Sequence, residues 1–430
     1  MGTPRIVAVS TATPRHRFDQ ATLLRMAGYE DSRRAGFFAN SEIDGRHLYL
    51  DPETFTPRES VDELSERFRR GSIELGAEAV RRVVERAGWD LADVDFLATT
   101  TCTGRLCPSL DAHLIAELGL KDSIQRVHVG DTGCASAMVA LQQAHNHVRA
   151  FPRHRAVVVA VEICSTAYFL DDRLESAVAH AIFADGAGAM AIAGEGDGPV
   201  IVGHQSLFRS EHLGAMGFEF PGGRPRVVLS KDVRRIGAAM MKEMADLLMD
   251  SQGLKKEDVR HFVLHSAGRR VIEQARRLLD LDESQIAHSR HVLRHLGNMS
   301  SATVVFVLEE TLRSGQPVPG DWGLMIALGP GFAAEGALLR DRARPGVCGR
   351  GRATPLVRRR LGAHGTRARR RRDARPTRAL LGPLAEPGGH RALQCLLRRN
   401  TADPASREGS RRGPSEGPQP DAARRGHRRR

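Results

Sequence analysis

The sequence predicts an α/β protein with covered sheets, and three observations carry that expectation. Short β-branched runs alternate with helical patterns throughout residues 1–340, as happens when helices cover both faces of a sheet. One helix–turn–strand unit occurs twice along the chain. Residues 341–430 differ so sharply in composition that they stand apart as a tail.

Taken in order, "RIVAVS", "DFLATTTC", "AVVVAVEIC", "HFVLHSAG" and "WGLMIALG" read as buried strands, being short, apolar and rich in β-branched residues. Between the first two, Ile73, Ala77, Val80, Val84 and Ala87 recur at the spacing of one helix face. The repeat links "AGWDLADVDFLATTTCTG" with "QGLKKEDVRHFVLHSAG", each a helix end, an acidic turn and a strand. Further on, "GDTGCASAMVAL" is echoed by "HLGNMSSATVVFVL", and a strand follows in each half. Two copies related by a pseudo-twofold axis would bring corresponding strand ends together. Cys134, His265 and Asn298 would then share one centre. The expected division is 1–200 for the first half, 201–340 for the second and 341–430 for the tail.

Charge follows the same division. The whole chain of 430 residues carries a formal +13, which by itself suggests a nucleic-acid partner. The tail, however, holds 25 arginines, no lysine and 7 acids, a net of +18. Residues 1–340 are left with 39 basic and 44 acidic side chains, a net of −5. The tail also lacks Phe, Tyr, Trp, Ile and Met, so it cannot bury enough apolar surface to offset its ordering entropy and is expected to be disordered. An arginine-rich arm can neutralise phosphates. GC-rich codons read past a stop, or out of frame, give the same composition, and no function is assigned to the tail.

Six cysteines in so long a chain do not make a disulfide scaffold, and none has paired zinc spacing. The opening "MGTPRIVAVSTATP" is too short in apolar residues for a secretory signal, and Ile6 spoils a myristoylation match. No stretch approaches a membrane span. A reduced, cytoplasmic protein is expected.

Cys134 follows the turn-former "DTG" and opens the helix-former "CASAMVALQQA", so its sulfur belongs at a helix N-terminus. There the macrodipole and free N–H groups favour a thiolate. The plain alternative is a packing cysteine among small residues. His265 ends an apolar strand beside a glycine-containing turn, where an active-site base would stand, although 18 histidines make chance placement common. Asn298 repeats the setting of the Cys134 turn, and a helix N-cap is its ordinary alternative. Together the three specify a chemistry. Cys134 would hold an acyl group as a thioester. His265 and Asn298 would donate hydrogen bonds to the oxygen on which an enolate forms when a malonyl unit loses CO₂.

Residues 5–340 resemble the thiolase superfamily, and within it the type III polyketide synthases, the chalcone-synthase-like enzymes. "IVAVSTATP", "GCASA", "HSAG", "GNMSSATVVFVLEE" and "LGPGFAAEGALL" occur in that family's order, and "IFADGAGAMAI" also resembles a family segment. The resemblance implies the layered αβαβα thiolase fold, a homodimer, acyl-CoA and malonyl-CoA as substrates, and no metal or organic cofactor. It also implies the nucleophile's role for Cys134 and the stabilising roles for His265 and Asn298. A rival is β-ketoacyl-acyl-carrier-protein synthase III, which usually has "QAN" after its histidine where this chain has "SAG". A non-catalytic thiolase-fold partner is a further alternative, against which the intact set of three argues.

The same resemblance extends to the pocket. Val227 in "RVVLSKDV" stands where plant relatives carry a gating Phe, although a plain strand residue would fit there too. Cys102 and Cys164 match cavity positions of the tetrahydroxynaphthalene synthase branch, and "FFANSEIDGRHLYL" resembles the dihydroxyphenylacetyl-CoA synthase branch. Cys107 falls where the family places a residue reaching into the partner's cavity. Ser300 and the loop Gly329, Pro330, Gly331 complete the expected substrate contacts. Arg33 and Arg34, with Arg269 or Arg270, are the candidate cations for the phosphates of coenzyme A, and Asn40 replaces a further Lys of plant relatives.

Overall fold

The structure is a computed structural model and describes residues 2–55 and 59–341; the expectations for the arginine-rich tail lie outside it. Among the described residues, nine strands form one mixed sheet. In chain order they are β1 (Arg5–Ala12), β2 (Val94–Thr101), β3 (Gln125–Gly130), β4 (Arg155–Ile163), β5 (Asp185–Ala193), β6 (Val200–Phe208), β7 (Val259–Leu264), β8 (Trp322–Gly329) and β9 (Ala333–Arg340). Their spatial order is β7-β8-β9-β6-β1-β5-β4-β2-β3. All five runs expected as strands are strands.

The repeat has a structural counterpart. In the first set β2 runs parallel to β4, which pairs antiparallel with β5. In the second, β7 runs parallel to β8, which pairs antiparallel with β9. The two sets meet through β1 and β6 at the single pairing Arg5↔Val200, so the sheet folds over there and its two parts face each other.

Three layers of helix follow from the period-2 alternation of the strands. On β4, Val158 and Ala160 point into one core while Val157, Val159 and Val161 point into another, because successive side chains leave opposite faces. The outer core of the first set is covered by α1 (Val61–Arg86). A capping box starts α1: the Glu63 N–H donates to Ser60 Oγ and the Ser60 N–H to the Glu63 carboxylate, satisfying two donors that a helix start leaves orphaned. The outer core of the second set is covered by α3 (Val233–Asp250) and α4 (Arg269–Leu278), through Met241, Met244 and Ile272. Between the two sets lie α2 (Ser136–Ala150) and α5 (Thr303–Arg313). Both reach the same core, with Ala137, Ala140 and Leu141 beside Val304, Val305 and Phe306. The order is therefore αβαβα, as the resemblance implies.

Although α2 exposes Gln143, Asn146 and Arg149, its inner face is packed between the two sets of strands, so a cavity made there stays open. Leu141→Ala, at a fully buried site, is expected to destabilise the protein by about 2–5 kcal/mol. Leu247→Ala on the exposed side of α3 is expected to change it by less than about 1 kcal/mol. Urea denaturation midpoints compare the two.

Candidate active site

Both middle-layer helices begin with the same device, a single 3₁₀ turn. Gly133–Ala135 precedes α2 and Ser300–Ala302 precedes α5. Gly133 takes φ +63°, and a Cβ there would lie 2.1 Å from Cδ of Pro330. Glycine is required on both counts. Cys134 follows directly, and its Sγ lies 3.3 Å from Ser300 Oγ.

Asn298 caps the turn, its ordinary alternative, and also reaches the cavity. Its Oδ1 accepts from the Ser300 N–H at 2.8 Å and from Thr303 Oγ1 at 3.3 Å, capping the turn. Its Nδ2 donates one hydrogen to the Ala267 carbonyl at 3.3 Å, leaving the other for the cavity. The Asn298 backbone is tied by its N–H to Ile182 O and by its carbonyl to the Ala184 N–H.

His265 follows β7, and its N–H donates to Ile326 O at 2.9 Å. Ser266 Oγ donates to the Ser289 carbonyl, and Ser289 Oγ donates to the Leu264 carbonyl. The imidazole is only 1% exposed, yet neither ring nitrogen has a protein partner.

Cys134, His265 and Asn298 line one cavity of about 690 Å³, within the range of small-molecule sites. Arg33, Lys231, Arg234 and Arg270 line it as well. All four are exposed, and their side chains have no ion-pair or hydrogen-bond partner among the described residues. From Cys134 a smaller chamber of about 50 Å³ leads inward, past Cys102, Cys164, Val227, Ser300 and Pro330. Tyr168, Phe183, Met216 and Phe218 narrow it.

Several expected contacts stand elsewhere. Arg34 does not line the cavity; Asp31 holds its guanidinium at 2.7 Å, and the Asp172 carbonyl takes a second hydrogen bond. Arg269 reaches the cavity but pairs with Glu42. Gly329 and Gly331 line neither chamber. They allow close packing instead, since a Cβ would meet Thr132 O at 2.7 Å and the Phe208 ring at 2.4 Å, respectively. Cys107 is exposed and lines neither chamber.

The sequence reading missed Lys231, Arg234 and Glu162. The signal for the cations was the cluster "SKDVRR", and for Glu162 it was an acid inside the apolar run "AVVVAVEIC". Glu162 is fully buried and accepts from Ser301 Oγ, from Thr103 Oγ1 at 2.8 Å and from the Cys102 N–H at 3.1 Å. Burial raises its pKa, opposed by those hydrogen bonds.

The thiolate expected at Cys134 is also corrected. Burial pushes the thiol up to about 12; the Ser300 hydrogen bond opposes this and the Glu162 charge adds to it. Burial pushes the His265 imidazole down to about 4. Taken singly, both groups rest neutral.

The comparisons with known proteins agree with this geometry. Residues 48–197 match the family model of the chalcone and stilbene synthases, N-terminal domain, and residues 249–341 match the 3-oxoacyl-[acyl-carrier-protein] synthase III C-terminal model. A 3,5-dihydroxyphenylacetyl-CoA synthase from Streptomyces toyocaensis is 33% identical over 350 residues, covering 78% of this chain and 90% of that protein. This chain is a type III polyketide synthase. A 1,3,6,8-tetrahydroxynaphthalene synthase from Streptomyces peucetius is 29% identical, covering 78% of this synthase and 92% of its own length. The crystal structure of PKS-I from the brown alga Ectocarpus siliculosus matches with a TM-score of 0.74 at 28% identity, over 79% of this chain and 99% of that one. Among the described residues, no helix is long and apolar enough to cross a membrane.

A depressed histidine makes the fold acid-sensitive. With a folded pKa of about 4 against an ordinary 6.5, His265 contributes stability above pH 6.5 that is lost as pH falls towards 4. Urea unfolding at pH 7.5, 6.5 and 5.5 is expected to show this loss, at up to ~1.4 kcal/mol per pH unit for one group. His145, His180 and His204 are depressed by burial as well, so His265→Gln is expected to reduce the slope by one group's share and leave the rest.

Proposed function

We propose that the first half, 1–200, supplies the nucleophile Cys134 and that the second, 201–340, supplies its partners His265 and Asn298, in a cytoplasmic homodimer. The shared cavity of the three side chains is the observation that carries this reading. Burial disfavours the charged form of Cys134 and of His265 taken singly, which supports their ionising as a pair. The thiol proton passes to the imidazole, and each new charge offsets the other's desolvation. The thiolate attacks the carbonyl carbon of a starter acyl-CoA; as the thioester forms, coenzyme A leaves as its thiolate and takes the proton from His265, which returns the imidazole to neutral.

Malonyl-CoA then enters past the same rim. As its carboxylate departs as CO₂, the electron pair left behind forms an enolate on the thioester oxygen. Neutral His265 keeps one N–H for that oxygen, and the second Nδ2 hydrogen of Asn298 is the other donor. Donors already fixed in a water-poor site lower the barrier by several kcal/mol. The enolate carbon attacks the Cys134 thioester, and the lengthened chain passes back to coenzyme A. Nucleophile and donors come from the protein's own side chains, so the step draws on no cofactor. The narrow inner chamber supports a compact starter.

Intact-protein mass after incubation with a panel of acyl-CoAs, followed by product extraction with malonyl-CoA, tests the reading. An acyl adduct is expected on the wild type and absent from Cys134→Ala. Extracts are compared with 3,5-dihydroxyphenylacetyl-CoA and 1,3,6,8-tetrahydroxynaphthalene, the products named for the relatives. No adduct under any starter would sink the assignment. Joint ionisation has its own check: iodoacetamide is expected to modify Cys134 at pH 7 at least about ten-fold more slowly in His265→Gln, since losing the partner strands a buried thiol near its desolvated pKa.

The free cations at the rim suit the phosphates of coenzyme A. Arg234→Ala or Arg270→Ala is expected to raise KM for malonyl-CoA about five-fold, ~1 kcal/mol for an exposed contact. Steady-state kinetics should put that change in KM rather than kcat. Arg34→Ala, whose guanidinium is already engaged, should move neither by as much.

A further inference from the structure

Ser300 is a non-glycine residue at φ +49°, held there by its N–H bond to Asn298 Oδ1. That conformation aims one hydroxyl at two sulfurs. Ser300 Oγ lies 3.3 Å from Cys134 Sγ and 3.2 Å from Cys102 Sγ, so the sulfurs are at most 6.5 Å apart. The hydroxyl has one proton and can donate to only one of them. Cys102 also donates towards the Glu162 carboxylate at 3.5 Å. Both thiols are free. Cys164 lines the same chamber but makes no such contact with either sulfur.

We infer that Cys102 and Cys134 are an oxidisable pair, in which Cys102 rescues the nucleophile from peroxide by closing a reversible disulfide. The inference rests on Cys134 being the group that ionises with His265. The thiolate attacks one oxygen of hydrogen peroxide, the O–O bond breaks, and a sulfenic acid forms. The expelled hydroxide takes the His265 proton and leaves as water. Cys102 then attacks the Cys134 sulfur, the S–S bond forms and the S–O bond breaks. The Cys102 proton passes by way of Glu162 to the departing hydroxide, giving a second water. Closing the bond requires the two side chains to rotate from their present staggered wells and the Ser300 hydroxyl to give way between the sulfurs. An external dithiol restores both thiols by exchange. Without Cys102, a second peroxide would carry Cys134 on to the irreversible sulfinic acid.

The full chain, treated with peroxide and no substrate, tests this by mass and peptide mapping under non-reducing conditions. The wild type is expected to lose about 2 Da, with a peptide joining residues 102 and 134, and to regain acyl loading after dithiothreitol. Cys102→Ser and Cys102→Ala are each expected to gain about 32 Da at Cys134, unaffected by dithiothreitol. Cys164→Ser should still form the bond. Wild type that gains the same ~32 Da with no linked peptide overturns the inference, as does a bond from Cys134 to any other cysteine. The mass readout needs no acyl-CoA, so its failure is distinct from a failure of Cys134 to load an acyl group.

Discussion

The site depends on how closely two strand-end loops approach in the middle of the molecule. Gly133 and Pro330 interlock at a distance that no side chain on residue 133 could occupy. Gly329 meets the Thr132 carbonyl and Ala135 from the other side of the same contact. That contact locks the turn before α2 against the end of β8, and the turn carries Cys134. The small residues Ala137, Ala140 and Ala144 extend the close approach along α2. The half-buried position of the nucleophile and its link to Ser300 both follow from it.

The same packing decides the electrostatics. A helix N-terminus favours a thiolate by about 0.3–1 kcal/mol, and up to ~2 in good geometry, whereas full burial moves a pKa by up to 3–5 units at about 1.4 kcal/mol each. Burial therefore wins at Cys134, and the rule that works for an exposed cysteine at a helix start fails here. It depresses His265 for the same reason.

The parts of the molecule that obey local rules were legible from residues alone. Apolar runs of β-branched residues became strands because backbone hydrogen bonding and two-sided burial reward that composition wherever it lies. The internal repeat was visible because each copy must solve the same packing problem with the same turn, helix and strand. Glu162 escaped notice because an acid within a strand of valines is interpretable only once its donors, Ser301 and Thr103, are brought to it from other elements. Arg34 was misplaced for the converse reason: its neighbours Asp31 and Asp172 claim it, and one of them is far away in sequence.

The sequence by itself determined the fold class and the repeat, and it brought Cys134, His265 and Asn298 forward as candidates, because periodicity, turn chemistry and residue order are properties of the chain. The tertiary structure alone decided which cations stay free, how far burial moves each pKa, and that Ser300 joins two thiols. Those are distances between residues remote in sequence, and only packing sets them.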